Sequence, residues 1–210
     1  TLPGLVGHDP WKQDEAYVFD ITWHMAQRGD YVVPTLAGEP FLEKPPLYYY
    51  TAGLAMRAFD GWLPPHDAAR LASGLFVLIA LACIWLSGRE LLGAAQGRMA
   101  VLLVLSSPGL VYHAHLMVTD VALFAGFAVG LYGLALARRN RWGGGLFLGF
   151  GIGMGFLAKG LLAPGVLGIT ALLLPLVAQD WRRRDYVTTL FVAGLVALPW
   201  LLIWPCALYQ

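Results

Sequence analysis

Charge is scarce in this sequence, and cysteine is scarcer. Only 13% of the 210 residues are charged, 58% are hydrophobic, and the mean hydropathy is +0.63. Soluble domains carry roughly a quarter charged residues, so an ordinary water-soluble fold is excluded. A net charge of +1 leaves no bulk electrostatic case for a nucleic-acid partner. Cys83 and Cys206 lie far apart in apolar surroundings. That excludes a disulfide framework and a cysteine zinc site, and both read as buried free thiols. An initiator Met, a basic leader region and a signal-type apolar core are missing from the opening TLPGLVGHDP. The chain closes on LPWLLIWPCALYQ, straight off a hydrophobic segment. The expectation is a piece of a longer membrane protein, cut at both ends.

The charge that is present is unevenly placed. Nine of the thirteen acidic residues precede position 68, so a polar first third is followed by an oily remainder. A bilayer-crossing helix needs roughly 17–25 predominantly apolar residues. Residues 71–88, 99–118, 121–137, 142–158, 160–179 and 186–205 meet that need, with apolar side chains all round the helix. The expected fold is an all-α membrane protein. Residues 1–69 form an external loop, and residues 70–210 form a multi-span helical bundle of about six spans.

The arginines orient it. Arg89 and Arg98, then Arg138, Arg139 and Arg141, then Arg182, Arg183 and Arg184 fall in alternate connections. Counting crossings puts all three groups on one side, which the positive-inside rule makes cytoplasmic. All three lysines, Lys12, Lys44 and Lys159, fall on the opposite side. An ionisable group at a membrane boundary is a functional candidate by default. Asp14, Glu15, Glu43, Lys44, Arg70, Asp120 and Lys159 all converge on this outer face. Asp9, Glu39, Asp60 and Asp67 read as loop residues in water.

Within the polar third, Asp14-Glu15 opens a helical pattern with Val18, Ile21 and Met25 on one stripe, ending at Arg28-Gly29. Taken alone, Asp14 reads as a helix cap. DYVVPTLAGEP follows as a loop. Then comes EPFLEKPPLYYYT, where Pro45 pushes Lys44 into an extended conformation and Pro46 suits the start of a helix over 47–59. Tyr48, Tyr49 and Tyr50 suit a membrane interface. The two helices read as amphipathic and juxtamembrane, lying on the outer surface. A lysine that merely snorkels to headgroups gains nothing from a rigid double-proline junction, which points Lys44 to function.

The string DEAYVFDITWHMAQRGDYVVPTLAGEPFLEKPPLYYY resembles the first external loop of the bacterial aminoarabinose transferase and protein O-mannosyltransferase-like enzymes, which are C-type (GT-C) glycosyltransferases. Members show an Asp-Glu pair, a helix ending in Met-x-x-x-Gly-Asp, a Pro, and a Lys-Pro elbow. Here these are Asp14-Glu15, Met25 to Asp30, Pro34 and Glu43-Lys44-Pro45-Pro46. Ala69-Arg70-Leu71, Ser107-Pro108-Gly109, Asp120 and Lys159-Gly160 match further on, so the resemblance covers nearly the whole chain. Where relatives often place an Arg before the carboxylate that starts a span, this chain has His113 and His115. Side chains at i and i+2 point to different sides of a helix, which argues against a shared metal and for a polar vestibule.

The resemblance implies transfer of a sugar from a polyprenyl-phosphate donor to a lipid, glycan or protein acceptor, on the periplasmic side of a bacterial inner membrane. It assigns the general base to Asp14. Lys44 comes first for the donor phosphate, with Lys159 beside it, because cations best stabilise a leaving phosphate in a low-dielectric site. Arg70 reads equally as a phosphate ligand or as an anchor for its span. Glu15, Asp120 and Glu43 hold the acceptor or orient the cations, although Asp120 also reads as a helix cap. Glu15 and Glu43 could join a divalent metal, but their spacing does not demand one, and no essential cofactor or metal is expected. The competing reading is a transporter or flippase, for which Pro108-Gly109 and Pro164-Gly165 are possible helix breaks, but the lack of any Asp, Glu, Lys or Arg mid-span opposes it. A non-catalytic scaffold is the third reading.

Overall fold

The computed structural model describes residues 4–209; the outermost ends of the two expected regions, residues 1–3 and 210, lie outside it. The first helix is α1 (Gln13–Arg28), whose first turn carries Asp14 and Glu15. Gly29 ends it at φ 71°, a left-handed value that glycine adopts without strain. Strands β1 (Thr35–Leu36) and β2 (Glu39–Pro40) pair antiparallel in the register Thr35↔Pro40, Leu36↔Glu39. The stretch expected as loop is therefore a hairpin closed by Ala37 and Gly38, both at positive φ as its tight turn requires. Strands of two residues are too short to show alternation in sequence.

Helix α2 (Leu47–Ala58) follows the elbow, with Pro46 as its cap residue. The bundle comprises α3 (Pro65–Leu92), α4 (Ala94–Leu105), α5 (Pro108–Ala114), α6 (Asp120–Leu136), α7 (Arg141–Lys159), α8 (Leu162–Val177) and α9 (Tyr186–Leu208). By length and composition α3 and α9 can each cross a membrane, and α6 and α8 are apolar but shorter. The segment expected as one span over 99–118 is broken into α4 and α5, which meet at 70°. Pro108 is the cause. It has no N–H to continue the helix, and it holds Ser107 at ψ 119°, outside the helical region. Pro164-Gly165, the other possible break, lies inside α8; the chain turns earlier, at Gly160.

Ion pairs sort the helix ends. The start of α6 meets the end of α7 through Asp120 and Lys159. The end of α3 meets the α6–α7 turn through Glu90 and Arg139, and the start of α7 meets that of α9 through Arg141 and Asp185. One end of the bundle therefore carries α1, α2, Arg70, Asp120 and Lys159, and the other carries the arginine groups. Trp204, near the end of α9, donates Nε1–H to Val32 O at 3.1 Å and ties the polar cap to the bundle. Cys83 is buried as expected, whereas Cys206 is exposed on α9.

Glycines let α7 pack on two sides at once. A Cβ on Gly151 would lie 2.3 Å from Gly130 N of α6, and one on Gly149 would lie 2.6 Å from Ala193 O of α9. Such backbone approach is the usual adhesive between helices that gain nothing from hiding apolar surface in lipid. Gly151→Val has only backbone to displace, so it is expected to lower the melting temperature in detergent by an amount matching about 1–3 kcal/mol or more. Gly168→Val should leave it unchanged, since a Cβ there meets nothing within 4 Å. Equal melting temperatures for the two variants would contradict this packing.

Candidate active site at the elbow end of the bundle

The Asp-Glu pair at the start of α1 splits in two directions. Consecutive helix residues are about 100° apart, and here Glu15 turns inward, fully buried, while Asp14 stays exposed. Glu15 Oε1 accepts from Arg70 Nε at 2.8 Å and from the Met117 amide at 3.3 Å. Arg70, also fully buried, donates Nη1–H to Asp67 Oδ1 at 2.9 Å and to the His8 carbonyl at 2.6 Å. The guanidinium thus bridges α1, α3 and the N-terminal segment. Of the two readings left open for Arg70, this enclosure supports the anchor.

Asp67, read from sequence as a solvated loop residue, is 5% exposed and part of this network. Its signal was the i,i+3 spacing to Arg70, which puts both on one helix face. The tyrosines are a second correction. Tyr48 and Tyr49 do not lie at a membrane interface but inside the protein, 0% and 1% exposed, and Tyr50 is half-buried. Tyr48 Oη and Ser73 Oγ lie 2.7 Å apart, and Ser73 Oγ donates to Leu116 O at 2.7 Å. Burial pushes both hydroxyls well above the usual phenol range, and for Tyr49 the charge of Glu43 adds to the rise. Both therefore stay protonated.

Around this buried frame stand the exposed candidates. Pro45 and Pro46 are buried and Lys44 is half-buried between Glu43 and the prolines. No hydrogen bond or ion pair joins Asp14, Glu43 or Lys44 to another described residue. Lys12 is engaged, its Nζ 4.6 Å from the centroid of the Tyr112 ring. Lys159 Nζ donates to Asp120 Oδ1 at 2.6 Å, so Asp120 orients a lysine. Among the described residues no three His, Cys, Asp or Glu side chains are grouped to hold a metal ion.

Two of the cavities that open at this end bear on the candidate site. One, of about 610 Å³, lies in the bend between α4 and α5 and is bordered by Ser107, His113 and Asp120. His113 Nδ1 lies 2.7 Å from Gly109 O and so carries the donated proton. His115 borders a different cavity with Trp11 and Tyr112, so the two imidazoles do separate. The other, of about 360 Å³, is an apolar groove between Leu47, Tyr50, Leu157, Pro199 and Trp200. Its border includes Leu47, the first residue of α2, and Leu157, near the end of α7.

Fold and site together define an all-α membrane protein of the GT-C architecture: a helical bundle capped by surface helices that carry acid and lysine. The chain superposes on the crystal structure of ArnT from Cupriavidus metallidurans bound to undecaprenyl phosphate with a TM-score of 0.82. Identity there is 22%, over 97% of this chain and 39% of that one. Residues 43–206 match the dolichyl-phosphate-mannose-protein mannosyltransferase family, and the chain belongs to it. Similar relatives are the undecaprenyl phosphate-alpha-4-amino-4-deoxy-L-arabinose arabinosyl transferases of Serratia proteamaculans and Edwardsiella ictaluri. The first is 31% identical over 208 residues and the second 34% over 209, each covering 94% of this chain. The chain spans 37% of the length of each.

Proposed function

We propose that the protein is a membrane glycosyltransferase that moves a sugar from a polyprenyl-phosphate carrier to an acceptor hydroxyl at the elbow end of its bundle. On this reading the bundle crosses a bacterial inner membrane about six times, with the elbow end facing the periplasm. The names of the relatives favour an aminopentose on undecaprenyl phosphate as donor; the acceptor on this reading is a lipid or glycan. One observation carries the reading: among the described residues Lys44 is a half-buried cation with no carboxylate partner, followed by two buried prolines and, three residues on, by Leu47 of the apolar groove. An amphipathic donor matches that pairing, with its phosphate on the lysine and its prenyl chain along Leu47, Leu157 and Trp200.

In the reaction the acceptor oxygen bonds to the anomeric carbon as the bond from that carbon to the phosphate oxygen breaks. Asp14 takes the hydroxyl proton. The phosphate leaves with the bonding electrons, and Lys44 neutralises the growing charge, with Lys159 reaching it from the α7 end under the hold of Asp120. Glu43 supports the acceptor side. Glu15 and Arg70 act as positioning residues that hold the turn bearing Asp14.

Lys44→Ala is expected to lower turnover of a polyprenyl-phosphate sugar by roughly 10²–10³, the usual cost of losing one group that stabilises a developing negative charge. Lys12→Ala removes a cation from the same end and should cost far less. Equal losses would mean a general headgroup effect and would count against the phosphate role of Lys44.

A further inference from the structure

The other end of the bundle has no part in that chemistry, yet it holds most of the arginines. Three arginine groups, eight residues in all, meet only Glu90, Asp180 and Asp185 there, an excess of five positive charges. Between the α6–α7 turn and the α8–α9 connection lies a cavity of about 250 Å³, bordered by Arg138, Arg139, Arg141 and Arg183 and also by Asp180 and Asp185. The carboxylates are already engaged: Asp180 by Arg138 at 2.7 Å, Asp185 by Arg141 at 2.9 Å, and Glu90 by Arg139. Among the described residues Arg183 meets no carboxylate. It donates only Nη1–H, to the Arg138 carbonyl at 3.2 Å, which leaves the rest of its planar fork of donors open.

The surroundings decide what kind of anion fits. Trp142 borders the cavity and is 60% exposed, and Trp181 lies beneath Arg138, 5.5 Å from guanidinium carbon to ring centroid. Tryptophan collects where a bilayer meets water. Leu176 and Val177 at the end of α8, and Val187 at the start of α9, are 71%, 84% and 67% exposed on either side of the arginines. A soluble anion would use the arginines and gain nothing from this apolar flank, whereas a phospholipid uses both. We infer that this cavity binds the phosphate headgroup of an anionic phospholipid, with Arg183 as its open ligand and acyl chains against the ends of α8 and α9. The inference is independent of the transferase reading.

The test is the melting temperature of the full-length protein in detergent, titrated with phosphatidylglycerol or with phosphatidylcholine of the same chains. Inorganic phosphate at equal concentration forms the soluble arm. Phosphatidylglycerol is expected to stabilise beyond phosphatidylcholine, and inorganic phosphate is not. R183Q should weaken the apparent phosphatidylglycerol affinity roughly fivefold, as loss of one basic contact at an anionic surface implies. Its melting temperature in phosphatidylcholine should stay that of the parent, because Arg183 is exposed. R184Q removes the same charge from a neighbour outside the cavity and should retain the affinity. Equal effects of the two lipids, equal losses in R183Q and R184Q, or the same stabilisation by inorganic phosphate would each overturn the proposal.

Discussion

Replacing Arg70 by methionine is expected to destabilise the protein by about 3–5 kcal/mol, the usual cost of removing one partner from a buried ion pair. Both Glu15 and Asp67 lose their cation while remaining out of water, and the His8 carbonyl loses its donor. The loss should be concentrated in the cap. Arg70 links α1 to α3, and through Glu15 Oε1 it also holds the Met117 amide just before α6. A second substitution separates charge from shape. Arg70→Met with Glu15→Leu removes the stranded carboxylate and should recover part of the loss, since buried pairs are often replaceable by apolar side chains. Recovery should be incomplete, because Asp67 stays buried with, among the described residues, only the Gly7 amide at 3.0 Å and His66 at 3.7 Å to meet it. Melting curves in detergent measure both variants. A single variant as stable as the parent would show that the network does not hold the cap.

Asp14→Asn should have the opposite signature: an intact fold and a lost reaction. The side chain is exposed and makes no hydrogen bond or ion pair with a described residue, so the amide costs little stability. An amide cannot accept the acceptor's proton, and general-base catalysis contributes roughly 10²–10⁴ in rate. Turnover should fall by that factor while the melting temperature holds. Glu15→Gln, one residue along, should behave the other way, with lower stability because the Arg70 charge loses its carboxylate. The contrast is informative because the two acids are neighbours in sequence. Parent-like turnover by Asp14→Asn would withdraw the base assignment.

Much of this architecture was legible in the chain. Gly29 marked the end of α1, and Pro108 was visible as a possible break before the structure bent there by 70°. Other features depend on partners too distant in sequence to read. The Asp-Glu pair had to present one acid inward, but the choice rests on Arg70, 55 residues on. Asp67 looked like a loop acid until the same arginine was seen beside it. The three tyrosines carried the composition of a membrane interface, yet Tyr48 and Tyr49 are core, Tyr48 packing against Phe76 and Ser73 of α3. The glycines of α7 alternate as GFGIGMG, which by itself does not reveal that successive ones meet different helices. Lys44 was singled out by the two prolines that follow it, a local feature that sequence shows by itself, and both prolines are buried in the structure.

The central claim is that the elbow end of the bundle breaks a sugar–phosphate bond rather than passing an intact molecule across a membrane. Release of free polyprenyl phosphate from a polyprenyl-phosphate sugar by the purified full-length protein, in detergent with no vesicle or gradient, tests it most directly. The account predicts release in step with glycosylation of an added acceptor, reduced together by Asp14→Asn and by Lys44→Ala. A donor that stays intact in detergent, and is only relocated once the protein is sealed in vesicles, would contradict it.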